Sequence, residues 1–101
     1  MNKILGIYVT SDQHLDKLIK LCRAAKKMKV EVRVFLTHQG TRLSTDTRIE
    51  ELRELAEIAI CAVGFDSNNL NKNDSLLDDK SFSSQSWHAE MVYDCDRYLT
   101  F

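Results

Sequence analysis

Three short apolar runs, separated by segments of helical periodicity, constrain the fold of this chain more than any other feature. The runs cover residues 4–9, 30–36 and 58–63. The first and third are apolar almost throughout, which is typical of strands buried on both faces of a sheet. The segments between the runs carry apolar residues at three- and four-residue spacings, as amphipathic helices do. Strands that alternate with helices predict an α/β fold around a mostly parallel sheet.

The last third of the chain continues this alternation with weaker patterns. We expect a short helix near residues 67–70, a short strand at 81–84, a helix over about 87–94 and a terminal strand at 97–101. The whole chain therefore predicts a five-stranded sheet in a three-layer α/β/α arrangement.

The second apolar run carries charge on one face, through Glu31 and Arg33. Such a strand suits the edge of a sheet better than its middle. With the first and third strands at the centre, the predicted strand order is 2-1-3-4-5. A sheet of this order holds its ligand crevice at the carboxyl ends of strands one and three. The predicted pocket rim consists of Thr10, Ser11, His38 and Gly64.

The length and the net charge of the chain limit the number of its domains and the classes of its partners. One hundred and one residues predict one domain, residues 1–101, without room for a second. The formal net charge of −1 argues against a nucleic-acid or anionic-membrane partner, because such proteins carry a basic excess. No apolar run approaches the roughly 20 residues of a membrane helix, and the first residues lack the features of a signal peptide. We therefore expect a cytoplasmic protein.

The usual cofactor and metal motifs are missing from the sequence. There is no GxGxxG or GxxxxGK[ST] motif, and the segment after the first strand lacks the glycine of a flavin phosphate loop. The three histidines do not have the spacing of metal ligands. We therefore expect neither an organic cofactor nor a metal.

Of the three cysteines, Cys61 is the one placed near the carboxyl end of a central strand. Cys22 and Cys95 fall on inner helix faces, and an odd, widely spaced set does not form a disulfide framework. Two interpretations of Cys61 stay open, since a cysteine in an apolar run is either a small core residue or a reactive thiol. A thiolate there would be favoured by the N-terminus of the helix that follows Gly64, or by His38 across the rim.

The order of five segments along the chain is similar to the order found in one protein family. They are the opening strand 3–11, the strand 30–36 with its glycine-bearing loop, the cysteine-bearing strand 58–62, the short helix that ends near Leu70, and the closing segment 96–101. In this order they resemble the DsrE/DsrF-like sulfur-relay family, which includes the TusD-type subunits and the YchN-like proteins. The resemblance covers nearly the whole chain.

This resemblance implies the order 2-1-3-4-5 and a homo- or hetero-oligomer, often a trimer or hexamer. It also implies that the cysteine of strand three carries sulfane sulfur as a persulfide, a role that falls on Cys61 alone. The chain would then be a small cytosolic sulfur carrier, at most a sulfurtransferase-like enzyme, that exchanges sulfur with donor and acceptor proteins. The alternative is a non-catalytic, oligomeric binding module of the same family in which Cys61 is a core residue.

Overall fold

The computed structural model describes residues 3–101, and this part of the chain contains five strands and four α-helices. The strands are β1 (Ile4–Val9), β2 (Glu31–Leu36), β3 (Glu57–Cys61), β4 (Phe82–Ser83) and β5 (Arg97–Thr100). The helices are α1 (Leu15–Lys27), α2 (Ile49–Leu55), α3 (Ala62–Ser67) and α4 (Gln85–Asp94). A 3₁₀ segment, His38–Thr45, follows β2 and is called the 38–45 segment. Over residues 3–101, no helix has the length and apolar character needed to cross a membrane.

All five strands run parallel and form one sheet in the order β4-β3-β2-β1-β5. The predicted α/β class and the five-stranded parallel sheet are confirmed, and so are the neighbours β1–β2 and β3–β4. The position of β2 corrects the predicted order 2-1-3-4-5, because β2 lies between β1 and β3 and not at an edge. On its other side β1 pairs with β5.

Arg33 explains how a strand with charge on one face lies at the centre of the sheet. Its guanidinium group is 3.0 Å from a carboxylate oxygen of Asp94 on α4, 3.8 Å from one of Glu57 on β3 and 3.9 Å from one of Glu31. The Arg33 side chain is only 23% exposed. A largely buried charge is tolerated when opposite charges lie within reach. The alternation of Glu31 and Arg33 therefore marks a charge cluster and not a sheet edge.

The helices cover the two faces of the sheet unequally, in three layers. Each step from β1 through β2 and β3 to β4 moves in one direction, so right-handed crossovers place α1, α2 and α3 on one face. The return from β4 to β5 crosses the sheet and places α4 on the other face. The larger core lies under α1, α2 and α3, and its fully buried side chains include Leu18, Ile49, Leu52 and Phe65.

Two helices start earlier than the sequence predicts. The helix after β3 starts at Ala62, directly after Cys61, and not near Ser67. The last helix starts at Gln85, and the Ser84 hydroxyl caps it by accepting a backbone hydrogen bond. Both helices therefore begin where their preceding strands end, at the same edge of the sheet.

Stacked rings join α4 to its face of the sheet. The imidazole of His88 stacks on Tyr8 with ring centroids 4.2 Å apart and on Phe35 at 5.6 Å. Trp87 also stacks on Phe35, at 5.8 Å. The Nε2 atom of His88 lies 2.8 Å from the hydroxyl of Tyr98 on β5. Burial in this layer lowers the pKa of His88 below its ordinary value.

Lowering the pH is expected to destabilise the protein through His88. Because its pKa is lower in the folded state, the unfolded chain binds more protons as the pH falls through the ordinary value of 6.5. The free energy of unfolding should therefore decrease between about pH 7.5 and about pH 5.5, and His88→Gln should flatten this decrease. Urea unfolding at each pH measures the free energy of unfolding. His14→Gln is the control, because His14 is exposed. An unchanged slope in His88→Gln would contradict the prediction.

Candidate functional site

The carboxyl ends of three neighbouring strands bring three small polar side chains into one row. Leu36 of β2 pairs with Ile60 of β3, so the residues that follow them, Thr37 and Cys61, are neighbours. Cys61 pairs in turn with Ser83 of β4. The row lies on the α4 face, because side chains alternate along a strand and Cys61 belongs to the buried cluster beneath α4.

A cavity of about 810 Å³ borders this row. It lies at the ends of β3 and β4, where the chain turns to opposite faces of the sheet, into α3 on one face and α4 on the other. Open parallel sheets bind their ligands at such a reversal. The described residues that line the cavity include no Asp, Glu, Lys or Arg; they are residues 37–39, 61–64, 67, 68 and 83–85.

Cys61 stands at the junction of β3 and α3. Its Sγ atom accepts a hydrogen bond from the Gly64 N–H at 3.4 Å, so the sulfur caps the first turn of α3. The residue is 7% exposed, yet it forms part of the cavity wall. The sulfur is therefore held in a fixed position beside a space that is large enough for a small molecule.

The other two cysteines have different surroundings. Cys22 is fully buried on the inner face of α1, and burial raises the pKa of its thiol to about 12. Cys95 is half-buried after α4, and its thiol donates to the carbonyl oxygen of Val92 at 3.6 Å. Neither of them lines the cavity, so Cys61 is the cysteine that meets this space.

The side-chain amide of Asn68 fixes the 38–45 segment against α3. Its Nδ2 atom lies 2.7 Å from the His38 carbonyl oxygen, 2.8 Å from Thr41 Oγ1 and 3.0 Å from the Gly64 carbonyl oxygen. His38 has a φ of 50°, a conformation that is uncommon for a residue with a side chain. A Cβ atom on Gly64 would lie 3.2 Å from the His38 nitrogen, so glycine permits this close approach. The 38–45 segment is thus a fixed wall of the cavity.

Three of the five predicted site residues line the cavity, namely Cys61, His38 and Gly64. Thr10 and Ser11 do not, because β2 separates β1 from β3. Instead, the N–H and the hydroxyl of Thr10 both donate hydrogen bonds to the carbonyl oxygen of Phe101, the residue after β5. The predicted rim is therefore wrong for these two residues, and the cause is the central position of β2.

Sequence reasoning missed Thr37, Ser83 and Asn68. Ser83 lies in a serine-rich stretch and Asn68 in one rich in Asn and Asp, and neither stretch contains a motif. Thr37 follows directly on the apolar second strand, and this position at a strand end was the available signal. Only the register of the sheet places Thr37 and Ser83 beside Cys61.

The wall of the cavity offers hydroxyl, amide and backbone N–H groups beside one thiol. Within residues 3–101, no group of three or more His, Cys, Asp and Glu side chains is arranged to hold a metal ion. The chemistry that these residues support is the binding of a small polar molecule next to a thiol.

Neither a family model nor a curated protein matches the sequence. A function is therefore inferred from the cavity and the residues that line it.

Proposed function

We propose that the chain is a small sulfur carrier in which Cys61 exchanges sulfane sulfur as a persulfide. The observation that carries this proposal is the position of the Cys61 sulfur, which accepts the Gly64 N–H at the wall of a cavity of about 810 Å³. A cysteine that only fills the core is enclosed by apolar side chains. Cys22 is such a core residue, with no exposed surface.

The proposed exchange is a displacement at sulfur. The thiolate of Cys61 attacks the outer sulfur of a donor persulfide, R–S–SH, and forms a new S–S bond. The S–S bond of the donor breaks, and its electron pair leaves on the donor thiolate, R–S⁻. An acceptor thiolate then removes the outer sulfur from Cys61–S–SH in the same manner and restores the Cys61 thiolate. Neither step needs an oxidant, a metal or an organic cofactor.

Donor and acceptor proteins are the proposed partners, and they would dock at the mouth of the cavity. Val63 lines the cavity and is 74% exposed, which offers an apolar contact for a partner next to Cys61. The resemblance to the DsrE/DsrF-like family, whose relay members pass sulfur on from a cysteine of strand three, supports such partners. A protein that works with free cysteines belongs in a reducing compartment, and we propose the cytoplasm.

One observation favours a second function, namely the low exposure of Cys61. In that case Cys61 is a core residue, and the chain is a non-catalytic, oligomeric binding module that uses the cavity for a ligand. The two functions differ in the reactivity of one thiol.

Incubation of the native protein with polysulfide is expected to add sulfur to Cys61 and to no other cysteine. Mass spectrometry of the peptides measures the mass of the added sulfur and locates it. Cys61→Ser should take up none, whereas Cys95→Ser, the matched control, should take up sulfur like the wild type. Sulfur on Cys22 or Cys95, with Cys61 unmodified, would overturn the proposal and leave the binding module.

We also propose that the chain forms a homo-oligomer, a trimer or hexamer on the family resemblance. Tyr93 on α4 is 90% exposed, and Tyr98 and Leu99 on the edge strand β5 are 40% and 39% exposed. Aromatic residues are enriched at protein interfaces. Trp87 and Phe101, by contrast, pack against the cores of the same chain.

Light scattering at micromolar concentration is therefore expected to give a multiple of the 11.7 kDa chain mass. Tyr93→Glu should shift the assembly toward the monomer, because it places a charge in the contact. Met28→Glu is the control, since Met28 is 77% exposed at the end of α1. A wild-type protein that scatters as a monomer would contradict the proposal.

A further inference from the structure

We infer that the cavity admits small sulfur compounds that carry a carboxylate, and that it holds this carboxylate beside Cys61. The inference rests on the proposed function and names the class of its small reactant, a low-molecular-weight persulfide with a carboxylate group. Three features carry it: the surroundings of Thr37, the start of α4, and the lack of charged side chains among the described residues of the wall.

Thr37 is a buried polar residue whose hydroxyl has no partner among residues 3–101. The residue is 2% exposed, lines the cavity and is the neighbour of Cys61 in the row of the three strands. It occupies the N-cap position of the 38–45 segment, but its side chain makes no capping bond. Among residues 3–101, Arg33 Nε is the one fully enclosed side-chain nitrogen or oxygen atom without a partner, so the Thr37 hydroxyl is open to the space beside it. A carboxylate in the cavity would accept a hydrogen bond from this hydroxyl.

The start of α4 contributes donors to the same wall. Ser83, Ser84 and Gln85 line the cavity, and α4 extends for ten residues from Gln85. The first N–H groups of a helix have no partner within the helix, and the helix dipole is positive at this end. Two of these N–H groups are satisfied, that of Ser86 by the Ser84 hydroxyl and that of Trp87 by the Ser84 carbonyl oxygen at 3.0 Å, which leaves the N–H of Gln85 as the donor for a ligand. The first turn contains no acidic side chain that would compete with a bound anion.

The charge of the wall selects the kind of anion. The described lining residues include no Lys or Arg that would neutralise a dianion, and no Asp or Glu that would repel an anion. A wall with only uncharged donors is therefore suited to an anion with a single negative charge. The two oxygens of a carboxylate can each accept one hydrogen bond, one from a hydroxyl and one from a backbone N–H. The volume of about 810 Å³ lies in the usual range for small-molecule sites.

Two alkylating reagents of nearly equal size test this inference. Iodoacetate carries a carboxylate and iodoacetamide does not; with each, the thiolate forms an S–C bond and iodide leaves. The ratio of the iodoacetate rate to the iodoacetamide rate at Cys61 is expected to exceed that of free 2-mercaptoethanol about tenfold, which is the effect of one hydrogen bond to a charged group. Peptide mass spectrometry assigns the label to Cys61.

Two threonine variants show whether the preference comes from the cavity. Thr37→Val keeps the shape of the side chain and removes the hydroxyl, so the ratio should fall to that of the free thiol. Thr47→Val is the control, because Thr47 is exposed and does not line the cavity. If circular dichroism shows that Thr37→Val does not fold, competition by acetate in the wild type replaces it, and acetate should then slow iodoacetate labelling.

A wild-type ratio equal to that of 2-mercaptoethanol would overturn the inference. Absence of labelling by both reagents would also overturn it, because Cys61 would then be closed to small reactants. Failure of the sulfur-carrier function has a different signature: the iodoacetate preference persists while polysulfide adds no sulfur to Cys61.

Discussion

Replacement of Gly40 by alanine is expected to lower the free energy of unfolding by roughly 2–3 kcal/mol. A Cβ atom at this position would overlap the carbonyl oxygen of Val9, a backbone atom at the end of β1. The 38–45 segment cannot move away without loss, because the Gly40 N–H donates to the Thr37 carbonyl oxygen at 2.8 Å and to that of Thr10 at 3.2 Å. Urea unfolding followed by circular dichroism measures the change.

Gly6→Ala is the matched control for this substitution. A Cβ atom on Gly6 would lie 3.1 Å from Met91 Cγ and 3.2 Å from Cys95 Sγ, which are side-chain atoms that rearrange at lower cost. We therefore expect a loss of about 1 kcal/mol or less. Equal losses in the two variants would contradict the argument that backbone contact makes Gly40 necessary.

The Gly40 substitution should also change the candidate site. The segment that Gly40 anchors carries His38 and forms one wall of the cavity. If it is displaced, Cys61 becomes more accessible, and iodoacetamide should label it faster in Gly40→Ala than in Gly6→Ala under native conditions.

The fold class was predictable because its signal is local. The periodicity of each segment reports which side chains are buried, and five parallel strands follow from the alternation with helices. The order of the strands was not predictable in this way, because the position of β2 depends on side-chain partners that lie far away in the sequence. Arg33 is compensated by Glu57 and Asp94, and nothing in the alternation of β2 distinguishes this cluster from a solvated edge.

The error in strand order explains which of the predicted site residues line the cavity. Cys61 and Gly64 follow from the end of β3 alone, so they do not depend on the neighbours of that strand. Thr10 and Ser11 were placed beside Cys61 only through a contact of β1 with β3 that the sheet does not contain. Ser83 was missed for a different reason, because β4 has only two residues and a strand of this length gives almost no periodic signal.

Substitution of Phe65 by alanine is expected to cost roughly 3–5 kcal/mol of the free energy of unfolding. Phe65 is fully buried in α3, and its ring meets that of Phe82 on β4 edge to face, with centroids 4.9 Å apart. The helix has only six residues, so packing of this ring and not helix propensity holds it in place. Val63→Ala in the same helix is the control, since Val63 is 74% exposed and should cost less than about 0.5 kcal/mol.

The loss of Phe65 should reach the site before the whole chain unfolds. The same short helix contains Gly64, which donates to the Cys61 sulfur, and is followed by Asn68, which holds the 38–45 segment. Local opening of α3 would break these bonds together, so the amides of α3 and the 38–45 segment should exchange hydrogen faster while those of β1 and β2 stay protected. Hydrogen exchange measured by mass spectrometry distinguishes this local opening from unfolding of the whole chain. Uniformly faster exchange across the sheet would mean that α3 has no separate stability and that the candidate site is as rigid as the core beneath it.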